Sequence, residues 1–277
     1  MKLYGVVIMD VIDSRSMPNR LQFQDNLIQY FNQVNKKYKK ILSAPISITL
    51  GDEWQAITQS PAECYEIVHE FQQYLWQAGV EAYAGIGIGG LATDIYSDVR
   101  LMDGPCFHAA RNAIEIARNQ VKTKSKLIYS KHNKVYFYAS SVSISNADEG
   151  FIDNDHKLKS KKTSGLRNNS LVPLPWWEAA ATIDTDHYSP LAIEELINTL
   201  IENNEILKGR MTPKQRRIYI DYIRHGTYRK ILAEYGNSET IGGISQKLNS
   251  AEFFTIQRNQ KIIKKLLSIY CVLGELT

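Results

Sequence analysis

Three cysteines in 277 residues, Cys64, Cys106 and Cys271, are too few and too far apart for a disulfide framework or a thiolate metal site. Long apolar runs are missing too. The opening stretch MKLYGVVIMD meets Asp10 before it reaches the length of a signal core or a membrane span, so a cytoplasmic location with no membrane partner is expected. No internal repeat is apparent. GIGIGG (85–90) lacks both the Lys-Ser/Thr of a P-loop and the βαβ setting of a dinucleotide fingerprint, and its small residues suit close packing against a helix instead.

What is present is an ordinary globular composition, 44% hydrophobic and 22% charged, in a chain longer than one average domain. Charge is uneven along it. From Lys208 to Thr277 there are 13 Lys and Arg against 5 Asp and Glu, net +8, whereas the remaining residues hold 20 against 24, net −4. An acidic body with a basic tail directs any polyanionic partner to the tail.

LYGVVIMD (3–10) is a short β-branched run with the character of a buried strand, and residues 20–40 carry apolar positions at helical spacing with Lys at the end. PISITLGDEWQAI predicts strand, turn, strand. The next segment opens with Ser60-Pro61 and stops at Gly79, marking both ends of a second helix. A strand (80–90), a third helix (104–120) and a further strand at SKLIYS follow. This order matches a split βαβ sheet with helices packed on one face, so the expected fold class is α/β (α+β), a ferredoxin-like palm over residues 1–140. Residues 141–188 lack periodicity and are expected to be a linker, docked by Trp176 and Trp177. Residues 189–277 are helical.

Asp10 closes the first strand, and Asp52 and Glu53 sit at the tip of the hairpin. Adjacent acids after Gly51 are ordinary turn chemistry on their own. In a ferredoxin-like sheet, however, the end of the first strand lies beside this hairpin, which would bring Asp10 and Asp52 together. Carboxylates converging from separate strands are what two-metal phosphoryl transfer requires.

GDEW (51–54) resembles the GDEF portion of the GGDEF signature of diguanylate cyclases and the Gly-Asp hairpin of class III nucleotidyl cyclases. VVIMDVIDS (6–14) resembles their first strand, and DGPCFHAARNAIEIAR (103–118) their Gly-Pro helix. The whole chain, helices included, is similar to the SatD family of bacterial proteins. The cyclase resemblance implies Asp10 and Asp52 as ligands of Mg²⁺ (or Mn²⁺), with Glu53 binding metal or orienting a hydroxyl. It places Asp13, Ser14 and Gly51 beside a nucleoside triphosphate, and Arg111 on charge developing at the phosphates. Counting forward from Gly104 instead puts His108 in the cyclase Asn place and Asn112 in the Arg place, so both are nucleotide-binding candidates. Ile48 stands where cyclases carry a base-choosing Lys or Glu, and Leu50 stands for the first Gly of GGDEF. A homodimer is implied. Two functions stay open: an enzyme forming a cyclic or linked nucleotide, and a non-catalytic nucleotide-sensing transcription regulator.

TYRKILAEYGNSETIGGISQKL (227–248) fits a helix-turn-helix, with Ile231, Leu232, Ala233, Ile241, Ile244 and Leu248 inward, Gly236 in the turn and Ser238 as cap. Arg229, Thr240, Ser245, Gln246 and Lys247 are then candidates to contact double-stranded DNA. A helical bundle mediating dimerisation is the plainer alternative.

Overall fold

Alternation in the first strand sets the layers. In β1 (Tyr4–Val11), Val7, Met9 and Val11 enter one core while Tyr4, Val6 and Ile8 enter another; Asp10 alone of its residues is not fully buried. The structure is a computed structural model that describes residues 2–119, 132–139 and 190–276. Its sheet runs β2 (Ser47–Leu50), β3 (Glu53–Thr58), β1, β4 (Ala82–Gly89), β5 (Val135–Ala139). β4 and β5 are parallel and all other pairs antiparallel. The first four strands have the ferredoxin-like order, and the protein is mixed α/β with a helical C-terminal segment.

α1 (Arg20–Lys37) and α2 (Cys64–Gln77) cover one face, through Leu27, Phe31, Val34, Phe71 and Leu75. The expectation that all the palm helices share that face does not hold. α3 (Pro105–Asn119) lies on the opposite side, against Val6, Ile8 and Ile57. Glycines on β4 explain the placement: a Cβ on Gly85 would meet the Ala110 carbonyl at 2.4 Å, and one on Gly87 the Ala110 nitrogen at 2.1 Å. The GIGIGG stretch is thus a seat for α3.

β5 was not anticipated, and the strand expected at SKLIYS lies outside the described residues. On the outer side of β5, the Asn198 amide accepts from the Phe137 N–H at 2.9 Å and donates to the Phe137 carbonyl at 2.8 Å, taking the place of a further strand.

The C-terminal segment forms α4 (Pro190–Gly209), α5 (Pro213–His225), α6 (Tyr228–Tyr235), α7 (Ile241–Ser250) and α8 (Phe253–Leu276). Thr212 and Gln215 make a capping box at the start of α5, and Gly226 in the left-handed region ends it. Glu252 at φ 52° separates α7 from α8. Ile193, Ile197, Ile201, Ile263 and Leu267 join the core of α1 and α2, while Ile218, Tyr219, Ile231, Ile244 and Leu248 form a core of their own. A buried polar tie fastens α4 to α2: Lys208 Nζ donates to Glu205, to Gln72 and to the Tyr65 hydroxyl at 2.8–3.1 Å. The described residues up to 139 and those from 190 onward form one compact unit. The segment 143–189, with Trp176 and Trp177, lies outside the described residues.

Candidate functional site

The β1–β3 ladder pairs Asp10 with Glu53, because Asp52 belongs to the turn and not to the strand. Glu53 points to the α3 side, where its side chain is 5% exposed. Arg111 and Arg118, two helical turns apart on α3, both reach it. Arg111 makes a two-pronged contact at 2.6 and 2.8 Å, and one Arg118 nitrogen spans Glu53 at 3.2 Å and Asp10 at 2.8 Å. The Thr49 hydroxyl adds a contact at 3.3 Å. Two carboxylates and two guanidiniums therefore close on each other at the strand ends.

The two acids differ electrostatically. Burial raises the Asp10 carboxyl; Arg118 opposes that, the charges of Asp52 and Glu53 add to it, and the balance stays above the ordinary range. Burial also raises Glu53, but the hydrogen bonds and charges of Arg111 and Arg118 outweigh it and hold this carboxyl below its ordinary range. Asp10 thus carries negative charge that its surroundings do not fully compensate.

Asp52 follows Gly51, whose φ of 64° is the left-handed turn conformation that glycine accommodates without strain. It faces the start of α1, with Arg20 3.7 Å away, and Gln24 donates to the Gly51 carbonyl at 3.4 Å. Asp13 adopts a left-handed conformation and its carbonyl accepts from Ser16, turning the chain after β1; Ser14 is buried there. Ser14, Arg20, Gly51 and Asp52 line one small recess.

Of the two ways of aligning α3, the structure brings Arg111 to the carboxylates and leaves Asn112 exposed. His108 is exposed and pairs with Asp103 at 3.1 Å. Arg118 and Arg20 were not singled out as site residues; the seven-residue spacing of Arg118 from Arg111 was the available signal.

In the helical segment, Ile231, Ile244 and Leu248 are buried, but Ala233 and Ile241 are exposed. Thr240 and not Ser238 caps α7, accepting from the Gly243 N–H at 3.0 Å, because residues 239 and 240 are still extended. Lys247 is paired with Glu239 at 2.6 Å, Ser245 is half-buried, and Arg229 and Gln246 are exposed.

The molecule is thus a mixed α/β protein with an acid–arginine cluster at the ends of its central strands and a helical segment packed on the same unit. The SatD family model matches residues 4–153, more than half of the chain, and the chain belongs to the SatD family. No curated protein matches it. No helix among the described residues is long and apolar enough to cross a membrane.

Proposed function

We propose that the chain binds a nucleoside triphosphate together with Mg²⁺ or Mn²⁺ at the β1–β3 edge. One observation carries this reading: the half-buried Asp10 carboxylate stands opposite Glu53 at the strand ends, and burial, with the charges of Asp52 and Glu53 behind it, raises it above its ordinary range despite the Arg118 contact at 2.8 Å. A site with uncompensated acid charge favours a cation. No three ligating side chains come together among the described residues, so a cage for a bare metal ion is missing. Mg²⁺ is usually held otherwise, by one or two carboxylates with phosphate and water completing the shell; Asp10, on which the charge of Asp52 acts, would be the protein's first contribution and Asp52 the second. When bound, the ion would neutralise phosphate charge. The chain's own part is to supply Arg20 and the start of α1, which no side chain caps, as partners for phosphate oxygens.

A second reading is favoured by the arginines. Arg111 spends both prongs of its fork on Glu53 and so is already committed to a carboxylate. That suits a nucleotide sensor more than a cyclase. Its output would be DNA binding by the basic helical segment through Arg229, Ser245 and Gln246; the homodimer belongs to the enzyme reading.

Titration calorimetry with each NTP, with and without Mg²⁺, tests the binding. Binding that requires the ion and is lost in Asp10→Asn and Asp52→Asn is expected; affinity indifferent to chelator and to both substitutions would refute it. Incubation with labelled NTPs and Mn²⁺ then separates the readings, because an enzyme yields a product that Asp52→Asn abolishes and a sensor yields none.

A further inference from the structure

Beside Glu53, on the α3 side of the sheet, lies an open recess of about 350 Å³, within the range of small-molecule sites. Ile8 and Gln55, partners across the β1–β3 ladder, line it together with Phe107 and Arg111 of α3. Gln55 is only 8% exposed, yet among the described residues nothing donates to or accepts from its side-chain amide. The amide atoms are not among the enclosed polar groups that lack a partner; they border the open recess, where a ligand would find both a donor and an acceptor.

The position where cyclases carry their base-choosing residue does not face this recess. Ile48 packs instead with the α1-side core. The ladder is irregular between Ile48 and Leu50, and Thr49 is the residue of β2 whose side chain meets Glu53. The polar group that the recess offers comes from the neighbouring strand, two residues beyond Glu53 and about 7 Å along it.

We infer that Gln55 reads the base of the bound nucleotide and that the base is adenine; this rests on the nucleotide reading above. A carboxamide presents one acceptor and one donor side by side. Adenine offers the complementary amino group and ring nitrogen on both of its hydrogen-bonding edges. Guanine offers such a pair on one edge only. Its other edge shows two acceptors and calls for a free guanidinium fork, but the nearby forks of Arg100 and Arg111 face Asp98 and Glu53. Phe107 supplies an apolar wall for a flat ring.

The test measures dissociation constants of the full chain for Mg·ATP, Mg·GTP and Mg·tripolyphosphate, in the wild type and in Gln55→Ala, Gln55→Met and Gln55→Glu, with circular dichroism confirming each fold. ATP is expected to bind more tightly than GTP. Gln55→Ala and Gln55→Met should each weaken ATP by about tenfold or more and leave tripolyphosphate unchanged. Gln55→Glu, which offers only acceptors, should shift preference toward GTP. ATP affinity equal to that of tripolyphosphate, or unchanged in both apolar variants, overturns the role of Gln55 alone. GTP binding more tightly than ATP in the wild type overturns the assignment to adenine. Absence of binding by tripolyphosphate and both nucleotides overturns the nucleotide reading with it.

Discussion

Asp10 and Glu53 face each other across one ladder, yet neutralising them should change stability in opposite directions. The Asp10 carboxyl is raised in the fold, so its contribution to stability is fully present below the ordinary aspartate value of 3.8 and is lost as pH rises through the folded value. At pH 7 its charge is therefore a cost. Asp10→Asn removes that cost and keeps an acceptor for Arg118, a gain of about 1 kcal/mol, in the range typical when a functional-site residue is replaced. Glu53 behaves inversely. Its carboxyl is lowered, so its contribution is present above the ordinary glutamate value of 4.5 and is lost as pH falls through the folded value. Glu53→Gln weakens charge-assisted bonds from Arg111 and Arg118, a loss of about 2 kcal/mol at pH 7. At about 2–4 °C per kcal/mol for a unit of this size, thermal unfolding followed by circular dichroism should show the first variant melting above the wild type and the second below it. Both differences should shrink as the buffer is taken below the ordinary carboxylate range. Shifts of the same sign at pH 7 would refute the electrostatic account of the cluster, and with it the observation on which the cation site rests.

Gly87→Ala puts a methyl 2.1 Å from the Ala110 nitrogen, and urea unfolding should show a loss of about 3 kcal/mol, the cost of forcing α3 off the sheet. Lys208 is buried with Glu205, and burial lowers its pKa against the pull of that acid. Lys208→Met should cost about 3–5 kcal/mol by stranding Glu205, and a second change Glu205→Met should restore much of it, as a double-mutant cycle would reveal. Thr240→Ala should cost about 1 kcal/mol, seen as faster hydrogen exchange in the first turn of α7.

Elements were legible where a local rule operates. β1, the hairpin, α1 to α3 and β4 follow from periodicity and from marked ends such as Ser60-Pro61 and Gly79, within a few residues of their observed limits. β5 was missed because VYFYA is short and stands before a polar stretch, and its identity depends on β4 and Asn198, which are remote in sequence. The cap of α7 went to Thr240 because Ser238 lies inside a 3₁₀ turn, a matter of backbone conformation and not residue type.

The sequence by itself determined that acids would stand at the end of β1 and at the hairpin tip, since a strand-ending Asp and a Gly-Asp turn are local features. Only the tertiary structure decided their partners. The ladder register puts Glu53, not Asp52, opposite Asp10, and the glycine seat on β4 presses α3 onto that face with Arg111 and Arg118 pointing inward. The pairing of Gln55 with Ile8 and of Ile48 with Trp54 likewise decided that Gln55, and not Ile48, lines the open recess. Side-chain direction in a strand reverses with each residue, so the register between strands, which no spacing rule within one strand can read, settles which side chains meet.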